Sequence, residues 1–212
     1  MAPENRLARA DDRSKGSLAA LALLSLVCLT GSSVRETSVD EMVAHSEFIF
    51  EGRVTGLEAR EAAEGRQIHT YVSFQILDII KGPPLGTSLE LRFLGGSVGE
   101  KTLSVSDMRL PSLGERGIYF VESLSRRQVH PLFGWSQGHL LVLADGEGRQ
   151  RVCSLDRLPI VAMEPVPQPP ERRLSAGLAR GLVAGEPGRL ETAVELDRFK
   201  AHLRKLQGKT TP

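Results

Sequence analysis

A mainly β protein, with a short helix on its N-terminal side and an amphipathic helix near its C-terminus, is the fold that this sequence predicts. Three observations predict it. Short runs of alternating apolar and polar residues recur from Phe48 to Cys153, separated by Gly, Pro and Asp turns, and such close spacing marks an antiparallel barrel or sandwich. The strand-helix-strand alternation that a parallel sheet requires is missing. Helical period appears only at the two flanks.

The chain has 212 residues. Its first segment, residues 1–16, is polar and carries Arg6, Arg9, Arg13 and Lys15; the uncharged run SLAALALLSLVCLT follows from Ser17 to Thr30. That run is shorter than the roughly 20 apolar residues a spanning helix needs. With Gly31, Ser32 and Ser33 behind it, the pattern predicts a signal peptide over 1–33, cleaved near Ser32 or Ser33. An uncleaved N-terminal membrane anchor is one alternative. A lipoprotein modified at Cys28 is another, although Ser25-Leu26-Val27 lacks the small residue that such a cut uses at its last position. Export to the periplasm or beyond is the expectation, with no membrane span left after cleavage.

Loss of that segment leaves Cys153 as the remaining cysteine, so neither an intramolecular disulfide nor a cysteine zinc cluster is expected. A mature chain of about 180 residues suffices for one domain with its own core. The charges balance, 27 Lys and Arg against 26 Asp and Glu. That balance gives no reason to expect nucleic acid or an anionic membrane surface as partner.

The mature chain opens with Ser38-Val39-Asp40-Glu41, a hydroxyl three residues before a carboxylate, which is a capping box. It predicts a helix from Val39 to His45 with Met42, Val43 and Phe48 facing inward. FIFEGRVTGLEAR then alternates as a strand, and Gly52 interrupts it where a bulge fits. RQIHTYVSFQILDII is the clearest strand pattern, ended by Lys81-Gly82-Pro83-Pro84 because proline cannot continue a central ladder. Leu89, Leu91 and Phe93 form the next strand, running into Gly95-Gly96. TLSVSDMRL and Gly117–Val121 each read as a strand. Val129 to Leu143 reads as one bent strand or two, and Asp145-Gly146 as a hairpin turn into Arg151-Val152-Cys153. The β domain therefore covers 34–158. MEPVPQPPERR and the Gly- and Ala-rich stretch after it predict a linker over 159–189. Helical spacing returns over 190–207, where Leu196, Phe199, Leu203 and Leu206 form an apolar stripe that must dock on the barrel or on a partner.

Gly134-Trp135-Ser136-Gln137-Gly138 spells the G-x-S-x-G string with which hydrolases present a nucleophilic serine. The elbow requires a helix after the serine, and His139-Leu140-Leu141-Val142-Leu143 has strand spacing instead. The string is therefore read as a bend between strands, with Trp135 covering one side of the core. His130 and His139 share one β region, but without a third ligand they do not define a zinc site. His45, His69 and His202 are scattered. Glu61 with Glu64, and Asp145 with Glu147, read as solvated turns rather than an acid/base pair. Gly95-Gly96-x-x-Gly99 precedes a strand, whereas phosphate cradles open a helix, so it reads as a positive-φ turn. Tyr71, Phe74, Phe93, Tyr119, Phe120, Phe133 and Trp135 are expected to fill one barrel core. No catalytic, cofactor or metal residue is assigned.

SVDEMVAHSEFIFEGRV, YVSFQILDIIKG, LRFLGGSVG, GERGIYFVESL and GWSQGHLLV, in that order from Ser38 to Leu143, resemble a group of exported bacterial proteins. Their barrel is similar to the netrin-like and tissue-metalloproteinase-inhibitor OB fold. The resemblance implies an OB-like antiparallel barrel and, through related modules that accompany matrixin-type metalloproteases, association with an exported protease. Animal inhibitors of this type chelate the protease zinc with an N-terminal cysteine. The expected start near Ser33 or Val34 has none, so no functional residue is carried over. The function expected is thus a non-enzymatic exported module that binds a protein or cell-envelope ligand. A regulator or inhibitor of an exported metalloprotease, and a serine hydrolase using Ser136, are the alternatives.

Overall fold

In the computed structural model, which describes residues 34–62, 67–166 and 173–210, the chain from Val34 onward is built on one six-stranded antiparallel sheet. Helix α1, Val39–His45, opens it. The Glu41 amide donates to Ser38 Oγ at 3.1 Å and the Ser38 amide donates back to Glu41 Oε2 at 2.8 Å, so the capping box is complete. Met42 and Val43 face the core.

Strands β1 (Phe48–Glu61), β2 (Ile68–Lys81) and β3 (Ser88–Leu94) form a meander. The short pair β4 (Gly96–Val98) and β5 (Lys101–Leu103) follows it. Then come β6 (Arg116–Val121), β7 (His139–Ala144) and β8 (Gln150–Cys153). The order across the sheet is β3-β2-β1-β6-β7-β8. Among the described residues β3 and β8 do not pair with each other, so hydrogen bonding does not close the sheet into a barrel. The register of β1 against β2 shifts at Ile49/Phe50, Glu51/Gly52 and Val54/Gly56. Bulges of this kind add twist and bend the strand, and β1 pairs with β6 only along Phe48 to Arg53.

Both faces of the sheet are covered. One carries Ile49, Ile118, Phe120, Leu140, Val142 and Val152 beneath the helices. The other carries Phe48, Phe50, Phe74, Phe93, Tyr119 and Val121. Burying each such side chain contributes about 1.5–3 kcal/mol, and the strict alternation along β6 divides neighbours Tyr119 and Phe120 between the two cores. The expectation of one aromatic core is corrected accordingly. Phe133 packs against the helix side, and Tyr71 is only half-buried, with the Arg60 guanidinium 4.4 Å above its ring.

The C-terminal part departs from the sequence reading. Within 159–189 lie β9 (Ile160–Met163) and β10 (Leu182–Ala184), paired antiparallel, and Ile160, Ala179 and Leu182 are buried in the helix-side core. Proline density signalled the breaks in this stretch but not the apolar positions between them. TLSVSDMRL holds strand structure only at Lys101–Leu103. Of the Val129–Leu143 segment, the last part is β7 and the first is irregular, apart from a 3-10 turn at Trp135–Gly138 and a bridge from Leu132 to Val121. A second 3-10 turn, Leu190–Thr192, precedes helix α2, Leu196–Thr210. Signal peptide, Cys28 and Glu64 lie outside the described residues.

Helix α2 docks on the sheet and on α1, with Leu196, Phe199, Leu203 and Leu206 all buried. Lys200, which is not part of that stripe, is buried as well. Its Nζ donates to Glu51 Oε2 at 2.9 Å and lies 3.0 Å from Asp78 Oδ2. Arg116 meets the other Glu51 oxygen at 2.6 Å, and Arg204 bonds Asp78 at 2.9 Å. Burial alone would lower the Lys200 ammonium, but these two carboxylates hold it above its ordinary value. No described helix is long and apolar enough to cross a membrane.

Candidate functional site

The G-x-S-x-G string forms the 3-10 turn before β7 and supplies both a clamp and one wall of a cleft. Gly134 has φ 66°, a left-handed conformation that glycine adopts without a side-chain clash. At Gly138 an added Cβ would lie 2.2 Å from the Phe133 carbonyl oxygen. Both glycines are therefore required by the turn itself. Gln137 is fully buried. Its Oε1 accepts from the Thr37 amide at 2.8 Å, while its Nε2 donates to the Arg35 and Gly134 carbonyls at 3.0 and 3.1 Å. The turn is thus tied to the N-terminal segment about 100 residues upstream.

Ser136 lines an open cleft of about 540 Å³ with Met108, Arg109, Asp156, Leu174 and Ser175. Arg109 and Asp156, both exposed, pair at 2.7 Å across it. Leu174 is 68% exposed. Among the described residues no imidazole hydrogen-bonds Ser136, and β7 follows it where a nucleophile elbow would need a helix.

The neighbouring histidines are engaged elsewhere. His139 Nε2 lies 2.6 Å from Glu115 Oε1, and the Tyr119 hydroxyl donates to that oxygen at 3.1 Å. Burial alone would raise the Glu115 carboxyl, but the His139 hydrogen bond and charge hold it below the usual carboxylate range, aided by the Ser112 amide and Tyr119. An ionised carboxylate only accepts, so His139 Nε2–H donates. His130 accepts the Leu132 amide on Nδ1 at 3.2 Å and stacks on Trp135, ring centres 5.3 Å apart. Burial, and then repulsion from His139, push His130 down to about 3 against a weak opposing pull from Leu132. His130 Nε2 and His139 Nδ1 are buried with no hydrogen-bond partner.

His45 stacks near Phe133, and His69 and His202 lie on β2 and α2. Among the described residues no three His, Cys, Asp or Glu side chains group as metal ligands. Asp145 accepts the Glu147 and Arg149 amides and the Arg151 guanidinium, a hairpin turn whose carboxyl the Arg151 hydrogen bond, first of all, holds far below its ordinary value. Glu61 pairs with Lys101 at 2.6 Å. Gly95, Gly96 and Gly99 all have positive φ, in the turns around β4. Cys153 is a buried free thiol that burial pushes up to about 11, which keeps it protonated at neutral pH and a poor nucleophile.

Gln137, Glu115 and Glu51 carried no signal in the sequence, because Thr37, His139 and Lys200, which they meet, lie 100, 24 and 149 positions away. The chain matches no protein-family model, and no curated protein or solved structure matches it.

Proposed function

We propose that this protein is an exported, non-enzymatic binding module whose cleft beside Ser136 holds a segment of a protein or cell-envelope ligand. The observation that carries this reading is an open cleft whose wall is a turn locked by Gln137, where among the described residues no imidazole hydrogen-bonds Ser136. Ligand sites commonly measure about 300–1,000 Å³ and join apolar surface to a few placed polar groups. Met108, Leu155 and Leu174 supply the first, and Arg109, Asp156 and Ser175 the second. A rigid scaffold beneath a contact surface reduces the ordering cost of binding. Export rests on the pattern of residues 1–33. The OB-like, netrin-like reading is supported by the bulged β1 shared between β2 and β6, a partly open arrangement that OB folds also use.

The test is affinity capture from envelope and culture fractions, comparing the wild-type protein with Leu174→Asp and Met108→Asp. A species retained by the wild type and lost from both variants is the expected result. Equal retention by both would remove the cleft from the interface. Capture of an exported metalloprotease that the protein inhibits would make it a protease regulator. Labelling by an active-serine probe, abolished in Ser136→Ala, would overturn the non-enzymatic reading.

A further inference from the structure

A second cleft, of about 470 Å³, runs along the 112–116 turn, β7 and the turn after β8, and three arginines line it: Arg53, Arg116 and Arg157. Arg53 on β1 stands directly opposite Arg116 on β6 in the ladder. Side chains so placed share a face, and like charges there destabilise the pair. Arg116 is answered by Glu51 at 2.6 Å. Arg53 is not: its Nη1 donates to the Gly114 carbonyl at 3.2 Å, a neutral group that orients the guanidinium without neutralising it. Arg157 closes the Ser154–Arg157 turn with φ 61°, a backbone state that glycine holds with less strain. Among the described residues neither Arg53 nor Arg157 has a carboxylate within ion-pair distance. The one carboxylate lining the cleft, Glu115, is turned to His139 and Tyr119. Beside these cations Leu113 is 68% exposed.

We propose that this cleft binds an oxyanion of the phosphate or carboxylate type carried on a short apolar body, with Arg53 and Arg157 holding the charge and Leu113 the body. Guanidinium forks match the two oxygens of such groups, and charge-assisted hydrogen bonds to them are strong. An anion held by Arg53 and Arg157, which only the folded chain brings to one cleft, stabilises the fold as it binds.

The site is separate from the cleft beside Ser136, and its test is independent. Calorimetric titration of the full protein with hexyl phosphate, inorganic phosphate and sodium chloride at matched ionic strength reads it directly. Hexyl phosphate is expected to bind, phosphate to bind more weakly, and chloride to give no saturable heat. Arg53→Gln and Arg157→Gly should each weaken hexyl phosphate about tenfold or more, whereas Arg127→Gln, at an exposed arginine after β6 that does not line the cleft, and Leu174→Asp leave it unchanged. Arg157→Gly relaxes its turn, so loss of binding there is not loss of fold. Unchanged affinity in both arginine variants, or equal weakening by Arg127→Gln, overturns the site. Phosphate binding as tightly as hexyl phosphate overturns the role of Leu113.

Discussion

The two faces of the central sheet each bury an apolar core but treat their polar groups differently. On the helix side Glu51, Lys200, Asp78, Arg116 and Arg204 form a connected set in which each charge meets an opposite one. On the aromatic side Phe50, Phe74 and Tyr119 pack ring on ring, at centre distances of 4.7–5.5 Å, and His130 and His139 each keep one unpartnered nitrogen. The first arrangement fastens a separate helix to the sheet; the second packs strands against their own loops. The difference teaches that the buried ionic set joins segments far apart in the chain, Glu51 to Lys200 across 149 positions, while the ring packing joins adjoining strands of one sheet.

The largest effect should come from the aromatic side. Phe50→Ala removes a ring that contacts Phe48, Phe74 and Tyr119, and such truncations cost about 3–5 kcal/mol; urea unfolding should show it as a lower midpoint. A cost under about 1 kcal/mol would mean that this core collapses around the gap. Lys200→Met tests the other face. It leaves Glu51, 2% exposed, with Arg116 as its remaining ion-pair partner, and losing one partner of a buried pair costs about 3 kcal/mol. Hydrogen exchange should then rise first in α2. Exchange rising evenly through the sheet would show that the ionic set does not act as a clasp.

Gln137→Ala removes three hydrogen bonds and strands the Thr37 amide, for a loss of about 1–3 kcal/mol. Proteolysis should find residues 34–38 more readily in that variant, and unchanged protection would place the hold on this segment elsewhere.

The remaining prediction concerns the pH dependence of the aromatic side. His130 is held down to about 3 when folded, so as pH falls below about 6.5 the unfolded chain takes up a proton that the folded chain refuses. Stability should therefore decline from about pH 6.5 towards pH 3. The Glu115 carboxyl is also held below its ordinary value; its contribution is present above about pH 4.5 and is lost as pH falls through its folded value. His130→Phe should flatten the upper part of this slope. An equally steep slope in that variant would assign the acid sensitivity to other groups.

Much of the local structure was legible before the fold was seen. The capping box at Ser38 and Glu41, the alternation through β2 and β6, the break at Gly52 and the stripe on α2 are short-range patterns, governed by backbone hydrogen bonding and by side-chain period. The clefts were not legible. Ser136 reaches one only because Met108, Asp156 and Leu174 converge on it from three distant segments, and Arg53 faces Arg116 only through the β1–β6 register.

By itself, then, the sequence determined the capped helix α1, the alternating strands from β1 to β3 and β6, and the apolar stripe of α2, because those features depend on neighbours within a few positions. Tertiary structure decided that both faces of the sheet would be covered and that Tyr119 and Phe120 would enter different cores. It also decided that Lys200 would be buried and that the glycine-flanked serine would line a cleft. Those outcomes depend on pairings separated by tens of residues, where the free energy of contact is set by geometry that no local pattern encodes.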